Sequence, residues 1–316
     1  MKKYLPNDKM RSLIKDNSSL LMVMSRFGIS LGFGDKTVKE ICRDTHVDCN
    51  TFLSVANFIS FKETDCTQVS LPSLIDYLKR AHTYFLNFNL PTIRRRLIDA
   101  IDCSGTDDVA FLILKFYDEY VTEVRHHMEY ENEKVFTYVE NLLQDHLDKH
   151  YSIRTFADKH HHIDSKLKEL KDIIIQYYPE KENDLLNAVL FDIINCEQDL
   201  NSHCLVEDQL FVPAVERLEE ELKRHSSFHP TTTLPDTSSQ AENKFETLSE
   251  REKEIIACVA KGMANKEIAD ILCLSINTVT THRRNITKKL QIRTSNGLTI
   301  YAIVNKLVEL QDINLS

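Results

Sequence analysis

The chain has 316 residues, 42% of them apolar, enough for two or three packed domains, and its 6 Gly and 7 Pro are few beside abundant Leu, Ile, Lys and Glu, which predicts an all-α protein. No apolar run approaches the roughly 20 residues that cross a bilayer, and the 8 cysteines form no C-x-x-C pair; neither a membrane anchor, a signal peptide, a disulfide framework nor a structural zinc site is expected, and a reducing cytoplasm fits. The net charge of −9 is uneven, since residues 1–244 carry 29 Lys and Arg against 40 Asp and Glu whereas residues 245–310 carry 10 against 7, the pattern of an acidic body with an end that meets phosphate.

In chain order, residues 1–68 are expected to form a small helical domain, containing Arg26-Phe-Gly-Ile-Ser-Leu-Gly-Phe-Gly34 and then Thr37-Val-Lys-Glu-Ile-Cys42. Residues 69–224 hold four amphipathic stretches, roughly Ser73 to Phe88, Asp107 to Gln144, Ile153 to Tyr178 and Glu182 to Lys223. A short helix from Pro91 to Ile101, opened by its proline, is placed between the first two. In the third stretch Phe156, His160, Ile163, Leu167, Leu170 and Ile174 recur at steps of three and four, one core-facing stripe, and four such helices predict a bundle. Residues 225–244 exchange that periodicity for Ser, Thr and Pro and read as a flexible linker to a last domain at 245–312.

Two copies of His-x-x-x-Glu lie on different long helices, His127 with Glu131 and His203 with Glu207. A step of four stacks the side chains on one face, where an imidazole and a carboxylate converge. His127 and Glu131 continue the stripe Leu112, Phe116, Tyr120, Val124; His203 and Glu207 continue Cys196 and Leu200 toward Leu210. Burying these groups unpaired would cost several kcal/mol apiece, and metal is the simplest compensation. His82, between Leu78 and Phe85, and His160 sit on the stripes of the other two helices, so each helix supplies one histidine. Four His and two Glu suit two iron ions bridged by carboxylates, with an open position for nitric oxide or oxygen. His126, His161 and His162 point off the stripes, and Glu129, Glu133, His146 and His150 read as a solvated face.

This arrangement over residues 70–224 resembles the hemerythrin-like (HHE) fold, and more narrowly the ScdA/YtfE-type di-iron proteins that repair iron centres. The segments around Arg26 and Thr37 resemble the small N-terminal domain of the same proteins. There Leu31-Gly32-Phe33 stands where they carry a Cys-Cys pair, so the thiol chemistry of that domain is not expected here.

In the tail, Ser249 is placed to cap a helix reaching Lys261 and stopped by Gly262, Asn265 to cap a second through Ile271, and Ser275 to open a third from about Thr278 to Leu290. The third has no acid, turns Val279, Ile286 and Leu290 inward, and presents Thr280, Thr281, Arg284 and Lys288 outward, toward base edges and phosphates. Thr278, His282, Arg283, Asn285 and Lys289 complete the candidate DNA-binding set. The blocks LSEREKEII, NKEIA and TV-x-x-H-R-x-N-I-x-x-KL resemble the LuxR/NarL/GerE family. That resemblance implies a four-helix helix-turn-helix domain on double-stranded DNA and a homodimer formed through the fourth helix, here by Leu298, Tyr301, Val304 and Leu307. Thr280 replaces the family's usual lysine two residues before His282, which removes a cation from the reading face.

The expected protein is a transcription regulator, not an enzyme, in which a di-iron bundle senses nitric oxide, oxygen or redox stress. The alternative is an iron-centre repair or nitric-oxide-processing di-iron protein with an appended DNA-binding tail.

Overall fold

The structure, a computed structural model, describes residues 3–62, 68–101, 108–146, 148, 151–157, 164–178, 184–226, 248–272, 274–290, 292 and 294–308. Among them the regular elements are helical, and extended backbone pairs only in an isolated bridge between Lys9 and Thr37. The chain divides into two compact units: Met1–Leu90 with Val124–His162 and Gln198–Pro230, and Pro91–Glu123 with Ile163–Glu197 and Thr231–Ser316.

The first unit opens with α1 (Met10–Asp16), α2 (Leu20–Arg26), α3 (Val38–Asp44) and α4 (Cys49–Phe61). Their limits follow from local chemistry. Thr37 and Glu40 form a capping box at α3, and Asp48 Oδ1 accepts the Thr51 N–H at α4, so exposed amide donors are satisfied by side chains. Leu13, Val23, Met24, Ile41 and Phe52 pack with Leu74 and Leu78 of α5 (Leu71–Tyr84) in one core that also takes in Val139, Leu210 and Phe211.

Three long helical runs each widen into a five-residue π turn. α5 passes through Phe85–Asn89 into α6 (Leu90–Ala100); α7 (Asp108–Tyr130) through Glu131–Val135 into α8 (Phe136–Leu142). After α9 (Ile153–Ala157) and α10 (Asp164–Tyr177), α11 (Asp184–Val206) passes through Glu207–Phe211 into α12 (Val212–Ser226). The expected separate helix opened by Pro91 is therefore corrected: the run from α5 continues through it. Pro91 has no N–H to give to the preceding turn, and the wide turn ends just before it. The third amphipathic stretch is seen as α9 and α10; residues 158–163, with His160, lie outside the described residues, as does the linker beyond Ser226.

In the second unit, Arg94 makes a two-pronged contact with Asp118 at 2.6 and 2.8 Å, and Lys171 pairs with Glu197 at 2.7 Å. The tail forms α13 (Glu250–Ala260), α14 (Asn265–Ile271), α15 (Ile276–Leu290) and α16 (Ser295–Val304) around Ile255, Ile256, Val259, Ile268, Val279, Ile286 and Leu298. Ser249 caps α13 as expected, and Gly262 follows its end with φ 80°. Two boundaries differ from the sequence reading. Ala264 rather than Asn265 precedes α14, because the Glu267 carboxylate reaches back to the Ala264 N–H at 2.7 Å. α15 begins at Ile276, with Ser275 Oγ accepting from the Thr278 N–H at 3.0 Å.

Candidate metal centre and nucleic-acid interface

His82 sits in the last turn of α5 and His203 in the last turn of α11; Glu131 and Glu207 each open a π turn. All four are at most 2% exposed, and one ligand atom from each lies within 4.8 Å of the others. The helical steps of four do what they promise: His203 Nε2 is 3.2 Å from Glu207 Oε1, and His127 Nε2 is 2.8 Å from Glu131 Oε1. Across helices, His82 Nε2 lies 3.3 Å from Glu131 Oε2 and 3.1 Å from His203 Nε2. Of the six expected ligands, His82, Glu131, His203 and Glu207 are brought together, His127 borders them through Glu131 at 22% exposure, and His160 is outside the described residues.

The donor set fits a cation. His82 Nδ1 faces Asn132 Oδ1 at 3.0 Å, which assigns the ring proton to Nδ1 and leaves the Nε2 lone pair toward the cluster. Two imidazole Nε2 atoms at 3.1 Å beside two buried carboxylates need a positive charge among them, either protons or a metal. Burial by itself would lower the His82 pKa, but Glu207 and Glu131 outweigh it and the value is raised. Nitrogen and carboxylate oxygen donors of this kind suit iron, manganese or zinc. Aromatic rings close round the site. Phe136 stacks on His82 with centroids 5.6 Å apart, and Phe85 stands edge-on to His203 at 5.8 Å.

Sequence reasoning missed Asn132, because a polar residue next to Glu131 reads as part of a solvated face until the π turn is known to bring it to His82. It also missed Arg26. This guanidinium at the end of α2 is 3% exposed, lies 5.0 Å from the Phe85 ring and binds Asp199 at 2.6 Å. Burial works against its charge, and Tyr77 and Asp199 more than compensate, so its pKa is raised.

On α15, Thr280, Thr281, Arg284, Asn285 and Lys288 are exposed, while Thr278, His282, Arg283 and Lys289 are half-buried. The Thr280 and Thr281 hydroxyls donate to the carbonyls of Ile276 and Asn277 at 2.9 Å, which leaves their oxygen lone pairs as acceptors on the outer face. Two members of the candidate DNA-binding set are engaged inside the domain: Arg283 Nη1 donates to Asn265 Oδ1 at 2.6 Å, and Lys289 Nζ meets the buried Glu252 at 2.9 Å.

Comparison with known proteins agrees with both halves. Residues 73–215 match the family model described as hemerythrin HHE cation binding domain, and residues 246–302 match that of bacterial regulatory proteins, luxR family. The chain is similar to the oxygen regulatory protein NreC of Staphylococcus epidermidis, 40% identical over 74 residues, which are 23% of this chain and 34% of that protein. It is also similar to NreC of Staphylococcus aureus strain JH9, 45% identical over 65 residues, 21% of this chain and 30% of the relative. The chain thus spans about a third of the length of these relatives. No solved structure matches. No helix among the described residues is long and apolar enough to cross a membrane.

Proposed function

From the premise of a chain that joins a hemerythrin HHE domain to a luxR-type regulatory domain, we propose a DNA-binding transcription regulator, not an enzyme, whose input is a metal centre. The carrying observation is the convergence of His82, Glu131, His203 and Glu207, all buried, in the same chain as a luxR-type helix with exposed Arg284 and Lys288. His127 and His160 complete the proposed ligand set. Two iron ions held there would supply an open coordination position for nitric oxide or oxygen. The chain's own residues keep such a site ready: Asn132 orients His82, the two glutamates balance charge, and Phe85 and Phe136 exclude water.

The proposed domains are 1–68, the 69–224 bundle, the 225–244 linker and the 245–312 tail. The tail acts as a homodimer on double-stranded DNA in the cytoplasm. α15 enters the major groove, where Thr280, Thr281 and Arg284 meet base edges, Lys288 meets phosphate, and His282 and Asn285 add backbone contacts. Relatives named oxygen regulatory protein support an input of oxygen, and nitric oxide or redox stress follows from the open position that a di-iron pair would offer.

The test is to purify the full chain without oxygen, count metal per chain, and measure duplex DNA affinity in the metal-free, reduced and nitric-oxide-exposed forms. About two irons and a reversible change of at least about fivefold would support the reading. Substoichiometric metal, or one affinity in all three forms, would overturn it.

A further inference from the structure

The second unit holds a contact that neither the metal centre nor the DNA-facing helix requires. Glu169 on α10 is 5% exposed, and its Oε1 accepts from the Thr294 hydroxyl at 2.5 Å and the Thr294 N–H at 3.2 Å. Thr294 is the cap of α16, its Oγ1 accepting the Gly297 N–H at 3.1 Å. The carboxylate therefore sits at the amino end of α16, where unpaired N–H groups and the helix dipole favour negative charge. Asn296, in the first turn, donates to Glu119 of α7. Two acids of the bundle helices thus grip one end of a helix from the basic tail.

The fit is close. A methyl group on Gly297 would collide with Glu169 Oε1, so the missing side chain is what lets the carboxylate approach. Gly297, Leu298, Thr299 and Ile300 are all buried. Leu298, expected on the pairing surface, packs instead in the tail's own core with Ile255, Val279 and Ile286, and Tyr301 and Val304 of α16, with Leu307 just beyond it, are the half-buried residues left for a second copy. Glu119 and Glu131 belong to one helical run, Asp108 to Leu142.

We propose that Glu169 and Glu119 form an autoinhibitory latch: they hold the amino end of α16 so that it cannot pair with α16 of a second copy, and release frees the tail for dimeric DNA binding. This rests on the reading of the tail as a dimeric DNA-binding domain. The contact itself stands apart from that reading.

The test uses the full-length protein, light scattering for mass, a mixed-sequence duplex at low salt as the probe, and amide exchange over residues 294–300. Glu169→Lys sets a cation against the helix end; Glu221→Lys makes the same charge change at an exposed position; Glu169→Gln keeps an acceptor oxygen. Asn296→Asp is a second way to open the latch, because an acid there suits the helix terminus while repelling Glu119. Glu169→Lys is expected to bind DNA at least about fivefold more tightly than Glu221→Lys, with Glu169→Gln within about twofold of wild type. Glu169→Lys and Asn296→Asp should both raise the dimer fraction and speed exchange at 294–300. Unchanged mass, exchange and relative DNA affinity in variants of wild-type helix content would overturn the latch. If Arg284→Ala still weakens DNA binding in that case, the reading of the tail survives its loss. If no form binds DNA or dimerises, that reading fails and exchange alone judges the contact: faster exchange in both variants upholds it, unaltered exchange overturns it.

Discussion

Arg26 Nη2 donates to Asp199 Oδ2 at 2.6 Å, and Asp199 lies one helical turn before His203. A buried cation from the start of the chain is thereby held beside the helix that supplies a candidate ligand. Removing one partner strands the other charge. Arg26→Met is expected to cost about 3 kcal/mol, and Arg26→Met with Asp199→Leu to recover most of it. Thermal unfolding of the two variants decides: a double variant no more stable than the single one would refute the ion-pair account.

Asn132 meets the proposed metal site through His82 Nδ1. Asn132→Ala is expected to weaken metal binding by about 10- to 100-fold while leaving the number of ions bound at saturation unchanged. Competition against a chelator of known affinity measures this.

Taking metal from the proposed site would leave Glu131, Glu207, His82 and His203 buried without a compensating cation. A chelator is expected to lower Tm by several degrees in the wild type and to do nothing to His203→Gln with Glu207→Gln, which cannot hold the ion. Equal chelator effects in both proteins would show that the protein is stabilised elsewhere.

The exposed and engaged cations of α15 should separate in their effects. Arg284→Ala is expected to cost about 1–3 kcal/mol of specific binding, and Lys288→Ala to lower the salt dependence by about one unit across all sequences. Arg283→Ala, which loses the bond to Asn265, should reduce stability of the tail in addition to any loss of affinity. Binding isotherms at several salt concentrations, beside unfolding curves, distinguish the three.

Glu252 is held below the usual carboxylate range: burial opposes this, but the Ser249 N–H and hydroxyl and the Lys289 ammonium prevail. A lowered folded-state pKa gives stability that is complete above the unfolded value and is lost as pH falls through the folded one. Stability of the tail should therefore fall more steeply for wild type than for Glu252→Gln between about pH 5 and pH 3. Parallel pH profiles would remove the cap's electrostatic role.

Much of this was legible because the signals are short-range. Ser249 and Gly262 mark their helix ends through backbone chemistry confined to one turn, and His203 with Glu207 follows from helical spacing alone. The all-helical fold and the inward facing of His82 came from periodicity in the same way. Asn132, Arg26 and Glu169 were not legible, since each acts through a partner 50, 173 or 125 residues away and carries a polar side chain that one sequence reads as solvated. Pro91 misled for a related reason: its effect depends on whether the preceding turn widens, which only packing decides.

The three π turns have a consequence for insertions and deletions. Each is a helix carrying one residue more than its length requires, so removing a residue at 132 or 208 would restore a regular ladder with both flanks still seated in the core. The carboxylate at 131 or 207 would swing aside as the backbone relaxed. Geometry at the proposed site and core packing are thus separately heritable in this chain, and a one-codon loss is expected to leave a well-folded protein whose four donors no longer converge.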